Sequence, residues 1–233
     1  MTDPTALPKY VQTAEMLIRE IAAGRLVAGE RLPPEREMAK DLGLAVGTLR
    51  KALADLEQRG LLDRVQGSGN YVKSGAEEAG IYAFFRLELT AGGGLPTAEV
   101  LAVDLLRKPA DFPAFGASDQ GHRIRRLRRL GGRPAAMEEI WLDASYVDAV
   151  GPDDLSESLY LFYRQRLGLW IVRAQDAVGL DTVPSWRADC FGLPTGAPCG
   201  FVERVSWGQN GDVPEYSRTW FDHTCARYVA RLK

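Results

Sequence analysis

The chain has 233 residues, 45% apolar and 26% charged, with a formal net charge of −2; this leaves room for one large domain or two small ones and excludes large-scale disorder. It carries no apolar run of about 18 residues and no signal-like N-terminus, so a cytosolic protein with no membrane partner is expected. Three cysteines, Cys190, Cys199 and Cys225, are odd in number and form no C-x-x-C pair, which argues for reduced thiols and against a disulfide framework or a zinc site.

Residues 1 to 8 read as a loose tail. Tyr10 to Ala23 has the spacing of a helix, with Val11, Ala14, Leu17, Ile18 and Ile21 on one stripe and Gly24 to close it. Pro33 and Pro34 suit a helix entry, so a short helix from Glu35 to Asp41 is predicted, with the acids Glu35 and Glu37 where the helix dipole favours them. Leu42-Gly43 breaks it. A second helix runs from Val46 to Arg59, its Leu49, Ala52, Leu53 and Leu56 sharing a face, and Gly60 stops it. Leu61 to Val65 and Asn70 to Lys73 flank the turn-rich Gln66-Gly67-Ser68-Gly69, a predicted hairpin. Two helices at a glycine turn followed by a hairpin are the parts of a winged helix-turn-helix. Charge alone says little of nucleic acid: residues 9 to 73 hold 11 Lys/Arg against 9 Asp/Glu, so DNA affinity would need placed contacts and dimer avidity.

Ser74 to Gly80 is small, polar and aperiodic, the composition of a linker between a domain over 8–73 and a second over 81–233. In the second, Val100 to Leu106 is a buried-strand candidate, followed by a short Pro-bounded helix near Phe112 to Ala117. Arg123 to Leu130 and Ala135 to Leu142 pair through Gly131-Gly132-Arg133. Ser156 to Leu167 is helical with Leu159, Phe162 and Tyr163 inward. Ile171 to Val178 is a strand, Pro184 to Phe191 a helix. Phe201 to Trp207 and Glu215 to Phe221 flank Asn210-Gly211-Asp212, the strongest hairpin signal in the chain. Strands and helices at this spacing predict an α+β domain with a mainly antiparallel sheet.

Residues 10 to 72 resemble the DNA-binding domain of the GntR family of bacterial transcription regulators. The likeness rests on Gly29-Glu30-Arg31-Leu32-Pro33, Glu35-Arg36-Glu37, Leu42-Gly43, Thr48-Leu49-Arg50, Ala52-Leu53 and Gly67-Ser68-Gly69. It implies DNA contact by Arg36 at the start of the motif's first helix, by Thr48 to phosphate, and by Arg50 to backbone or base. Lys51 is a further candidate, and Gly67 and Gly69 would let wing amides approach phosphate or minor groove. For each, a solvated side chain or a plain turn is the bland alternative. The chain also departs from the family, with Ala45-Val46-Gly47 where Ser-Arg-Thr is common. Ala45 lacks the capping hydroxyl, a loss of about 0.5–2 kcal/mol. Val46 replaces a guanine-reading arginine and offers a thymine-methyl contact instead, so the usual family operator is not expected.

Residues 81 to 233 are similar to the UTRA effector domain of HutC-type GntR regulators. The likeness lies in Arg126-Leu127-Arg128, Gly132-Arg133-Pro134, Glu138, Ser158-Leu159-Tyr160, Gly196-Ala197-Pro198, Phe201 to Trp207 and Val213-Pro214-Glu215. It implies a chorismate-lyase-like α/β fold used as a small-molecule sensor, with dimerisation through it. Arg126 and Arg128 share one face of their strand, Arg125 and Arg129 the other, and one face is expected to meet solvent. In relatives arginines of this strand hold an anionic effector, as suits a guanidinium fork. Glu138 and Glu215 stand where relatives bind effector hydroxyl or amino groups; a salt bridge to the same arginines is the alternative. Ser158 and Tyr160 open a helix, a potential anion site, and Arg173 is placed on a strand pointing to the same region. Thr90 keeps one hydroxyl in Leu89-Thr90-Ala91-Gly92-Gly93-Gly94, a loop that offers backbone amides. Phe221 stands where an aromatic hydroxyl is common. Both changes weigh against a sugar phosphate.

An enzyme is disfavoured by the two histidines, His122 and His223, and by the lack of a nucleophile or P-loop motif. A regulator with an all-helical, metal-binding effector domain would need more histidines. A ligand-free DNA-binding dimer stays open. The expectation is a homodimeric regulator, most simply a repressor, of an inverted-repeat operator under a small anionic effector. It requires neither cofactor nor metal.

Overall fold

The computed structural model describes residues 8–22, 26–73, 84–92, 96–155 and 158–230. The expected tail, the closing Gly24, the linker over 74–80 and the start of the predicted Ser156 helix lie outside them. The chain divides into two compact units, one over Leu7–Arg86 and one over Leu87–Tyr228.

In the first unit, α1 (Lys9–Ala22), α2 (Glu35–Asp41) and α3 (Val46–Gln58) form around one apolar cluster. Ala14, Leu17 and Ile18 of α1 meet Leu49, Ala52, Leu53 and Leu56 of α3, each essentially buried. Helical periodicity put these residues on facing stripes, and burial of such side chains contributes roughly 1.5–3 kcal/mol each. The predicted α2 bounds match, and α3 ends at Gln58, one residue before the predicted Arg59; Gly60 follows with a φ of 71°, the left-handed turn glycine favours. Arg59 donates to the buried Glu15 at 2.7 Å, tying the end of α3 to α1. The predicted wing is β1 (Leu62–Val65) antiparallel to β2 (Gly69–Val72), with Leu62 opposite Val72 and Val65 opposite Gly69.

In the second unit, six strands form one antiparallel sheet. They are β4 (Pro96–Arg107), β5 (Gln120–Leu130), β6 (Arg133–Asp143), β7 (Ile171–Thr182), β8 (Pro198–Gly208) and β9 (Glu215–Phe221), in the order β4-β5-β6-β9-β8-β7. Both predicted hairpin turns occur, at Gly131-Gly132 and around Gly211. Two short strands that the sequence pattern did not reveal, β3 (Leu87–Leu89) and β10 (Ala226–Tyr228), pair apart from the main sheet. Three-residue strands are too brief for a period-2 signal.

Four expectations fail here. The apolar run read as a buried strand is β4, an edge strand whose Leu101, Leu105 and Leu106 are exposed because only β5 pairs with it. Phe112 to Ala117 is turn and bend rather than helix. Its backbone is committed elsewhere: the Lys108 ammonium donates to Phe115 O and to Ser118 O just beyond the segment, and Gly116 N donates to Val213 O. Pro184 to Phe191 also forms no helix. It makes two separate turns, Arg187 N to Pro184 O and Phe191 N to Ala188 O, which lay Val183, Trp186 and Phe191 over the sheet. Finally, the predicted Ser156–Leu167 helix is one α-turn, α4 (Leu159–Phe162), followed by a wider π-helical turn over Tyr163–Leu167. Leu159, Phe162 and Tyr163 do face inward.

Candidate functional site

Strand alternation decides which side chains can meet. In register, Arg126 of β5 lies opposite Glu138 of β6, while Ile140, Ser217, Arg204 and Asp176 form the next row across β6, β9, β8 and β7. Glu215 and Ser206 form the row after that. All stand on one face, and Tyr160 and Tyr163 reach it from α4 and the turn behind it. The other face carries Leu127, Met137, Trp220 and Phe201 under Val183, Trp186 and Phe191. Neither face of the central strands is left to solvent. The expectation that one face meets solvent therefore fails: on the face away from Arg126, Arg125 bonds Glu139 at 2.8 Å and stacks on Trp186 at 4.6 Å.

The buried face is strongly charged. Glu138 accepts from Arg126 at 2.7 Å and from Arg128 at 3.1 and 3.0 Å, and all three side chains are at least nine-tenths buried. Burial pushes the Glu138 carboxyl up, but the charges and hydrogen bonds of Arg128 and Arg126 outweigh it and hold the group at about 2. Arg126 is still incompletely satisfied: its Nε and Nη1 are buried and find no acceptor among the described protein atoms. Nearby, Glu215 accepts from Tyr163 Oη and Ser206 Oγ, each at 2.8 Å, and from Tyr160 Oη at 3.3 Å. Burial raises the Glu215 carboxyl despite these donors, and burial also raises both tyrosines. Arg204 forms a fork to Asp176 with two bonds of 2.6 Å, and Tyr228 Oη donates to the same carboxylate.

Of the sequence candidates, Arg126, Arg128, Glu138, Tyr160 and Glu215 come together. Ser158 caps α4, accepting from Leu161 N at 3.4 Å. Phe221 is buried on the same face, its ring against Gly200. Arg173 is not in the cluster. Its partner across the ladder is Trp207, on the opposite face from Ser206, and its guanidinium stacks on that ring at 3.8 Å. Thr90 is exposed in the turn after β3 and makes no contact with the cluster among the described residues; Gly93 and Gly94 lie outside them. Sequence reading passed over Arg204, Ser206, Asp176 and Tyr163. The alternation of Arg204 and Ser206 along a predicted strand was a usable signal, whereas their meeting with Asp176 and Tyr163 depends on register and tertiary packing.

In the first unit, Arg36, Gly47, Arg50 and Lys51 are exposed, and Thr48 is half-buried. Val46 packs partly against the core, so less of it faces outward than its position at the start of α3 suggested. Ala45 makes no side-chain cap, as its missing hydroxyl requires. Gly67 and Gly69 hold φ of 77° and 138°, and a Cβ on Gly69 would come within 3.0 Å of Arg31 Nε. Between wing and α2 lies a groove of ≈ 600 Å³ lined by residues including Arg31, Pro34, Glu35, Arg64 and Gly67. Glu35 accepts from Arg50 Nε at 2.6 Å and from Arg64 Nη2 at 2.7 Å. These bonds, Arg50's the stronger, hold its carboxyl below the usual range.

Among the described residues no cluster of His, Cys, Asp and Glu is disposed to hold a metal, and no helix is long and apolar enough to cross a membrane. The buried cluster has the chemistry of recognition: fixed charges, hydroxyl donors and an under-satisfied guanidinium.

Comparison with known proteins agrees with this division. Residues 9–72 match the family described as bacterial regulatory proteins, gntR family, and residues 91–226 match the UTRA domain. The chain is 62% identical over 228 residues to the HTH-type transcriptional regulator SmoD of Agrobacterium fabrum, covering 98% of this chain and 97% of that one. It is 26% identical to the HTH-type transcriptional repressor NagR of Bacillus subtilis, over 97% and 96% of the two chains. The crystal structure of the possible transcriptional regulator YydK from Bacillus subtilis shares the fold, with a TM-score of 0.52 at 21% identity over 97% of this chain and 100% of that one.

Proposed function

The chain belongs to the gntR family of bacterial regulatory proteins and carries a UTRA domain, which makes it a transcription regulator and not an enzyme; we propose that it is a cytoplasmic, homodimeric repressor controlled by a small anionic metabolite. Two copies bind an inverted repeat, placing their α3 helices in successive major grooves about 34 Å apart. Arg36, Thr48, Arg50, Lys51 and the wing glycines Gly67 and Gly69 make the contacts, with Val46 and Gly47 at the α3 entry. The relative NagR is named a repressor, which supports that sign of regulation. The effector's anionic group binds Arg126 beside Arg128. Tyr160 and Glu215 receive its hydroxyl or amino groups.

One observation carries the ligand reading. A buried guanidinium with two nitrogens lacking acceptors leaves a desolvation penalty of roughly 1–3 kcal/mol per group unpaid, and an anion reaching Nε and Nη1 removes it. The test is a thermal-shift screen of the full chain against carboxylates, phosphorylated sugars and other small anions. A ligand at 100 times its Kd should add about 2.7 kcal/mol and raise the Tm. The Arg126→Ala variant should lose that shift; a shift of equal size in the variant would remove Arg126 from the site.

A second reading draws on Glu138, which bonds both arginines and so can serve architecture alone. In that case the sheet unit only dimerises, and no anion in the screen moves the Tm or the operator affinity.

A further inference from the structure

Three elements of the first unit converge on one carboxylate. Glu35 opens α2, Arg50 lies on α3 and Arg64 on the wing strand β1, and both guanidiniums donate to Glu35, through Nε and Nη2 respectively. Glu35 is mostly covered, at 19% exposure, while Arg50 and Arg64 remain 60% and 40% exposed. Because Arg50 spends only Nε on the carboxylate, both of its Nη groups keep their donors for a second partner. Among the described residues Glu35 is the sole acceptor that either arginine bonds.

We propose that Glu35 is a positioning residue that sets sequence specificity: it braces Arg50 and Arg64 together and lowers their shared charge. The inference rests on the DNA-binding reading above. A free arginine samples many rotamers and is captured by any phosphate, a contact that carries no sequence information. Held at Nε, Arg50 presents a fixed fork, the geometry a base edge selects. The carboxylate also cuts the net charge of the trio from two to one. Fewer counterions are then released on any duplex, so sequence-independent binding weakens more than binding to the right site. Glu35 touches both the recognition helix and the wing, so these move as one body.

The test uses the full chain and two probes: the duplex that the wild-type protein enriches from a randomised library, and a scrambled duplex of the same composition. Glu35→Gln keeps the shape and removes the charge. It should bind the scrambled duplex several-fold more tightly, with a salt slope steeper by about one, and the selected-to-scrambled affinity ratio should fall about tenfold. The Tm should stay near wild type, since an exposed pair contributes only about 0–1 kcal/mol. A ratio and slope equal to wild type overturn the proposal, as does an equal loss on both duplexes, which marks a purely structural role. Glu35→Ala, which also removes the brace, should lower the ratio further; a smaller effect than Gln contradicts the positioning half. If the wild type enriches no sequence at all, the DNA-binding reading fails and takes this inference with it.

Discussion

The two units contain the same three-group arrangement, one carboxylate bound by two arginines, in opposite surroundings. Glu35 holds Arg50 and Arg64 at the surface, whereas Glu138 holds Arg126 and Arg128 where all three side chains are at least nine-tenths buried. In the exposed trio, water and salt compete for every charge, so the bonds are cheap to exchange for phosphate. In the buried trio no such competitor is at hand, and loss of one member strands the others in a low dielectric. The difference teaches how one motif serves two tasks. On the proposed reading, the surface trio tunes a contact that must be made and broken, while the buried one fixes a guanidinium whose Nε and Nη1 keep their donors for an anion.

This contrast predicts its largest effect in stability. Glu138→Ala should cost about 3–5 kcal/mol, read as a lower denaturant midpoint for the sheet unit, while Glu35→Ala should cost under about 1 kcal/mol. Similar losses from both would erase the distinction between the sites. Next in size is a pH dependence of opposite sign at the two buried carboxylates. Glu138 sits at about 2 against an ordinary 4.5, so its contribution is complete above pH 4.5 and disappears as pH falls toward 2. Glu215 is raised by burial, so its contribution is present below pH 4.5 and is lost as pH climbs through its folded value. The stability difference between wild type and Glu215→Gln, followed by urea unfolding, should therefore shrink with rising pH; a difference that grows reverses the assignment. The smaller effect lies in the first unit. Arg50→Ala should weaken binding to the selected duplex at least about tenfold, or 1.4 kcal/mol, with unfolding of the sheet unit unchanged. Unaltered affinity would take Arg50 out of the interface.

Much of the first unit was legible because its signals are local. Proline at the entry of α2, glycine after α3 and apolar residues at helical spacing lie within a few positions of what they determine. Its arginine pair was not so legible: Arg64 lies 14 residues beyond Arg50, and only the folded wing brings both to Glu35. In the second unit the strands and their glycine turns were readable. The neighbours of those strands were not, since β6 pairs with β9 across more than 70 residues. Arg173 shows the consequence: correctly placed on a strand, it falls on the other face, and Arg204 supplies the cation instead. Pro184 to Phe191 fails for a related reason. Its apolar residues satisfy a sheet face beneath them, and tertiary burial overrides a helical pattern that the segment alone supports.

The central claim is that an anion at Arg126 and a duplex at Arg50 are coupled through the chain. The direct measurement is the affinity of the full-length protein for its selected duplex, with and without a saturating anion that raises its Tm. The account predicts a change of at least about fivefold, absent in Arg126→Ala, and an equal change in anion affinity when the duplex is bound. Equal duplex affinity with and without the anion, in wild type, would contradict it.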